Sequence, residues 1–104
     1  MNESEAKKSV RAEIQLESNR QPSSLNLYIA DIKIRNNSDK AIRDISVICT
    51  TFGKSGTELE SFDQTVYIEV PAQSSETEKR VNFGYINSQA DNIGCLLLDF
   101  VLIE

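Results

Sequence analysis

The sequence predicts an all-β fold, an antiparallel β-sandwich of about seven strands with immunoglobulin-like or fibronectin-like character. Three observations predict it. Apolar residues alternate with polar ones at period two through most of the chain, clusters of Asn, Ser, Asp, Gly and Pro separate the alternating runs at short intervals, and no stretch carries the apolar period of a helix of about three turns. A chain of 104 residues can bury one modest core, so one domain is expected, over residues 9–104. Residues 1–8 have almost no apolar content and are read as a flexible lead-in with room for a helical turn.

The elements follow in order. From Val10 the residues Val10, Ala12, Ile14 and Leu16 alternate with Arg11, Glu13 and Gln15, which predicts a half-buried strand. Ser18 to Ser24 is turn chemistry around Pro22. Leu25 to Arg35 is β-rich, but its apolar phase slips from Leu25, Leu27 and Ile29 to Ala30, Ile32 and Ile34, which predicts a bulge between Tyr28 and Ala30. Asn36-Asn37-Ser38-Asp39 reverses the chain, and Ile42 to Phe52 forms the next strand, with Ile45, Val47 and Cys49 on one face and Ile48 and Phe52 on the other.

Gly53-Lys54-Ser55-Gly56 lacks the strand-to-helix context of a phosphate loop and is read as a hairpin or corner turn. A short extended piece around Leu59 and Phe62 and a separate strand with Val66, Ile68 and Val70 come next, before Pro71 to Ser75 breaks the ladder. Glu76 to Ile86 alternates with Val81, Phe83 and Tyr85 on one face, and Asn87 to Asn92 connects it to the last run. Ile93 to Ile103 is apolar on both faces, the pattern of a central strand covered on both sides.

Composition narrows the function classes. Hydrophobic residues are 39% and charged residues 26% of the chain, enough apolar material to fold without approaching membrane composition. Sixteen acidic against eleven basic side chains leave a net charge of −5, which repels polyphosphate and disfavours nucleic acid as a partner. Lys7-Lys8, with Arg11 nearby, is the longest basic grouping and is read as part of a solvated tail. No run approaches the roughly 20 apolar residues of a bilayer span, so membrane attachment is expected only through an anchor outside this sequence. The start fits either a cytosolic protein or a methionine standing where a leader or anchor has been removed.

Cys49 and Cys95 each lie in a strand-forming run. Histidine is absent, so a zinc site lacks ligands and a thiol nucleophile lacks its usual base; no metal, cofactor or catalytic residue is assigned. A disulfide and a pair of buried thiols both remain open. Loop closure favours the bond, worth roughly 4 kcal/mol on the chain-entropy model, and the bond would place the chain in an oxidising compartment.

The order Ile34-Arg35-Asn36-Asn37-Ser38, a strand holding Cys49, Ser55-Gly56-Thr57, Pro71-Ala72-Gln73-Ser74, Asn82-Phe83-Gly84-Tyr85-Ile86, Gln89 and Cys95 resembles small bacterial extracytoplasmic β-sandwich domains. It is also loosely similar to the FxLYD-type group of envelope domains, with Ile48-Cys49-Thr50-Thr51-Phe52 where the aromatic-x-Leu-Tyr-Asp run would fall. The resemblance implies an exported or anchored domain with Cys49 paired to Cys95, and it carries over no catalytic residues.

Tyr85, Asn87 and Gln89 form the densest amide and aromatic cluster and are the candidate partner-binding residues. The alternative for this segment is a core strand ending in a polar turn, with Gly84 marking a bulge or a close backbone approach. Asp31 and Asp99 interrupt apolar runs, and Asp91 with Asn92 could offer oxygen ligands at a loop; surface solvation and local turn bonding are the competing readings. The expectation is a non-enzymatic binding or interaction domain of the bacterial cell envelope with a protein partner, periplasmic or otherwise extracytoplasmic. The alternative is a small intracellular acidic inhibitor or effector-type protein that blocks a basic surface, cytoplasmic if the cysteines are reduced.

Overall fold

The alternating runs pair into two layers. The computed structural model describes residues 3–23 and 26–104. Helix α1 (Glu5–Arg11) precedes strands β1 (Ile14–Gln21), β2 (Leu27–Asn36), β3 (Ala41–Phe52), β4 (Glu58–Val70), β5 (Ser74–Tyr85) and β6 (Asn92–Ile103). All pairings are antiparallel, in one sheet of order β1-β2-β5 and a second of order β4-β3-β6. The all-β sandwich expected from the sequence is therefore present, with six strands among the described residues. Ser24 and Leu25, where the turn was expected to end and the second strand to begin, lie outside the described residues, as do Met1 and Asn2 of the lead-in.

Three expectations are corrected. The piece around Leu59 and Phe62 and the run from Val66 to Val70 are one strand, β4, because Asp63 and Thr65 sit on the outer side of a sheet edge, where a polar stretch does not interrupt the ladder. The strand expected from Val10 begins at Ile14 instead and runs on to Gln21, through Ser18, Asn19 and Arg20 where the turn was expected to start, because these residues stay paired with β2. Ser4 caps α1 by accepting a hydrogen bond from the Lys7 amide at 3.1 Å, and Val10 in the last turn is buried. Val10 lies in α1 and Ile14 opens β1, and both pack at the core, so the even spacing that reads as one strand runs across two elements. The third correction concerns β6, described below.

The core lies between the layers. Even-numbered residues of β2, Tyr28, Ala30, Ile32 and Ile34, form one cluster with Ile42, Ile45, Val47 and Cys49 of β3, Val70 of β4, Phe83 of β5 and Phe100 of β6. Burying each isoleucine stabilises by about 1.5–3 kcal/mol relative to exposure, so apolar alternation drives the stacking of the sheets. The chain has no tryptophan, and Tyr28, Phe62 and Phe83 fill the space with a triangle of tilted rings whose centroids are 5.6–6.5 Å apart.

Register shifts occur beside the residues where a bulge was expected, between Leu27 and Ile29 and between Ala30 and Ile32 in the β2–β5 pairing. The extra residues belong to β5, at Gly84 (φ 101°) and Arg80 (φ 53°), whereas β2 runs without interruption against β1. Asp31, which breaks the apolar run of β2, accepts a hydrogen bond from the Arg80 amide at 2.9 Å and so steadies that bulge.

The end of the sandwich where β2 turns into β3 and β4 crosses to β5 is held by Asn36. Its side chain is fully buried and donates to the carbonyls of Lys40, Val70 and Pro71 at 2.8–3.2 Å, while its Oδ1 accepts from the Ser38 amide and hydroxyl. Gln73 joins from the crossing turn, donating through Nε2 to the Asn37 and Ser38 carbonyls. Two separate turns are thereby tied to one side chain whose polar atoms are satisfied.

Candidate functional site: the free edge of β6

Cys49 and Cys95 stand opposite each other in the β3–β6 register and are joined by a disulfide, with Cα atoms 4.0 Å apart and 46 positions between them in the chain. The bond links adjacent strands of one sheet. It thus differs from the immunoglobulin disulfide, which joins the two layers. The Tyr28 hydroxyl lies 3.8 Å from Cys95 Sγ, so the bond borders the aromatic triangle. A disulfide at this place is compatible with an oxidising compartment.

The short Cα separation identifies the Cys49–Cys95 pair as one whose backbone groups do not bond to each other. The N–H and C=O of Cys95 therefore point away from β3, as do those of Ile93 and Leu97 by the alternation of the ladder. Among the described residues β6 pairs only with β3, so these groups have no ladder partner, and Ser18 and Arg20 of β1 lie beside Asn92 and Ile93 at the start of the strand. Asn92 Oδ1 covers the Ile93 amide at 2.9 Å. Leu96 and Leu98, on the outer face beside this edge, are 71% and 44% exposed. β6 is apolar on both faces, as read from the sequence, yet it is an edge strand and not the covered central strand expected.

The far half of β6 is covered from the side by α1. Lys7 of α1 pairs with Asp99 at 2.8 Å, Arg11 donates to the Leu98 carbonyl at 3.2 Å, and both cations lie over the Phe100 ring. The Lys7-Lys8 grouping thus belongs in part to a packed helix. Its hydrogen bond from Lys7 holds the Asp99 carboxyl below the usual carboxylate range, and the bond from Arg11 does the same for Glu3.

The three candidate partner-binding residues are divided among different roles. Tyr85 ends β5 and is 67% exposed. Asn87 shapes the following turn, its Oδ1 accepting from the Gln89 amide at 2.7 Å, and its own amide donates to Glu60. Gln89 lines an open cleft with Lys54, Ser55 and Leu59 of the β3–β4 hairpin, apart from Tyr85. Gly53 to Thr57 closes that hairpin through Gly53 N–H to the Thr57 carbonyl at 2.9 Å, which matches the turn reading.

The carboxylates are likewise separated. Asp31 belongs to the β1-β2-β5 sheet and Asp99 to the β4-β3-β6 sheet, and each is engaged by its own basic residue or amide. Asp91 borders the end of β6, where its amide donates to the Phe52 carbonyl at 2.8 Å. Among the described residues no group of three or more acidic or cysteine side chains is placed to hold a metal ion, and no helix is long and apolar enough to cross a membrane.

Sequence reasoning missed Leu96 and Leu98 as surface residues. The available signal was the apolar run itself, since a strand apolar on both faces calls for neighbours on both sides. The chain matches no protein-family model and no curated protein.

Proposed function

We propose that this chain is a non-enzymatic interaction domain of the bacterial cell envelope that engages a protein through the open edge of β6. One observation carries the reading: at Cys95 and Leu97 the outer side of β6 offers backbone groups that have no ladder partner among the described residues, beside exposed Leu96 and Leu98. Adding a strand to such an edge is a recurring mode of protein recognition, in which main-chain bonds supply affinity and alternate side chains supply selectivity. The cross-strand disulfide and the resemblance to anchored envelope domains favour an extracytoplasmic setting, with attachment through a segment outside this sequence.

A photo-activated crosslinking residue placed at Leu96 in the native host tests the reading, with the same residue at Lys33 on the outer face of the other sheet as control. Crosslinks to protein at position 96 and none at position 33 are expected. Equal crosslinking at both positions, or reproducible turnover of a substrate by the purified chain, would overturn it.

A further inference from the structure

The outer face of the β1-β2-β5 sheet carries a polar cleft of about 250 Å³, lined by Gln15 and Glu17 of β1, Lys33 and Arg35 of β2, Asn37 after β2 and Ser75 of β5. Its layout follows from the register. Gln15 and Ser75 stand on either side of Arg35 across the sheet, and Glu17 and Thr77 stand on either side of Lys33 one row along. Lys33 and Arg35 are two residues apart on the central strand, so both point outward with about 7 Å between their backbone positions. We propose that this cleft binds a phosphate group, with the Arg35 guanidinium as its principal ligand and Lys33 as the second cation; the site is independent of the β6 edge.

Arg35 is already held in place for such a ligand. Its Nε donates to Asn37 Oδ1 at 2.7 Å and its Nη1 to Ser75 Oγ at 3.4 Å. Asn37 is itself fixed, because its amide donates to the Glu13 carbonyl at 3.0 Å and its carbonyl accepts from Gln73 Nε2 at 2.8 Å. The half-buried guanidinium is thereby anchored to the same turn that Asn36 ties down, and a ligand that meets it removes little further side-chain freedom. Nη2 and one Nη1 proton make no hydrogen bond among the described residues. They are the end of the fork that meets two oxygens of one phosphate.

Charge selects an anion at this place. Arg11 and Arg43 are each engaged by carboxylates, whereas Arg35 is held by neutral oxygens alone, and neither it nor Lys33 makes an ion pair among the described residues. Strand alternation puts Lys79 on the same face. Of the two strand carboxylates there, Asp31 accepts from the Arg80 amide, which leaves Glu17 across from Lys33. Within a chain of net charge −5 this face is a local excess of positive charge. Two neighbouring cations suit the near-dianion of a phosphate monoester better than a carboxylate, while a polyphosphate would also meet the acidic remainder of the surface.

Residue-resolved NMR titration of the chain at low ionic strength tests the proposal, with sodium phosphate and glycerol 3-phosphate as soluble probes and vesicles containing phosphatidic acid as the membrane-borne one. Saturable shifts centred on Gln15, Lys33, Arg35, Asn37 and Ser75 are expected, with a dissociation constant on the order of 1 mM for so open a site. Arg35→Gln should weaken binding by at least about tenfold, and Arg35→Lys by several-fold because a point charge replaces the fork. Lys33→Gln should weaken it a few-fold and Glu17→Gln should strengthen it. Circular dichroism and melting temperature check that each variant is folded, and Lys33→Gln with Glu17→Gln carry the test if Arg35→Gln is not. Vesicle binding that depends on Arg35 supports the site with a lipid headgroup as the source, and binding of the soluble probes alone supports it with a free phosphate compound. No saturable shift up to about 50 mM phosphate, equal affinity for acetate, or affinity indifferent to both Arg35→Gln and Lys33→Gln overturns the proposal.

Discussion

At the end of the sandwich where β2 turns into β3 and β4 crosses to β5, the buried side chain of Asn36 ties two turns together, and α1 lies along the nearby half of β6. At the opposite end β6 has no second ladder partner among the described residues and is fixed to β3 by the Cys49–Cys95 bond. The first end is closed by polar groups that satisfy one another. The second is closed by a covalent link that leaves backbone groups outside. The difference teaches that an edge strand can be held firmly in its sheet and still present an unpaired side, because the disulfide fixes β6 without using its outward amides.

The largest expected effect comes from removing that link. Replacing both cysteines, Cys49→Ala with Cys95→Ala, should lower unfolding free energy by roughly 4 kcal/mol on the chain-entropy model, read as a fall in the denaturant midpoint. A change below about 1 kcal/mol would mean that the ladder alone fixes β6. At the other end, Asn36→Leu removes a donor from the Lys40, Val70 and Pro71 carbonyls and the acceptor of the Ser38 amide, while the Ser38 and Ser74 hydroxyls still donate to the Lys40 and Pro71 carbonyls. A loss of about 3 kcal/mol is expected from the same measurement, and a neutral result would remove Asn36 as the tie between the turns.

Smaller effects are expected from α1. Val10→Ala should cost about 2 kcal/mol if the helix closes the core between β1 and β6. The carboxyls of Asp99 and Glu3 titrate lower in the folded chain than in the unfolded one. The stability they contribute is therefore complete above about pH 5 and is lost as pH falls through their folded values. The melting temperature of a Lys7→Gln, Arg11→Gln variant should accordingly fall less on acidification than that of the parent; parallel profiles would show that the pairs contribute nothing measurable. Smallest of all, Leu96→Lys should change monomer stability by less than about 0.5 kcal/mol, because Leu96 is mostly outside the core.

The sandwich was legible because alternation at period two is a direct record of which side chains face the core. Ile45, Val47 and Cys49 are buried as that pattern required, and Gly84 marks a bulge through its positive φ. Alternation is silent about which strand is a neighbour of which. Ile93 to Ile103 therefore read as central when it lies at an edge, and the polar middle of β4 read as a gap. The role of Asn36 was hidden for a related reason: its residue type suits a turn, and only the meeting of two turns distant in sequence reveals the network. Of the candidate site, Tyr85 is exposed as a partner anchor would need, whereas Asn87 and Gln89 are tied to the turn and cleft beside it.

The central claim is that the outer side of β6 is open in the single chain and closes on a protein strand. Amide hydrogen exchange resolved by residue tests it most directly. In dilute solution the Cys95 and Leu97 amides should exchange rapidly while Leu96, whose amide faces β3, is protected. Uniform protection from Ile93 to Leu97 at high dilution would contradict the account.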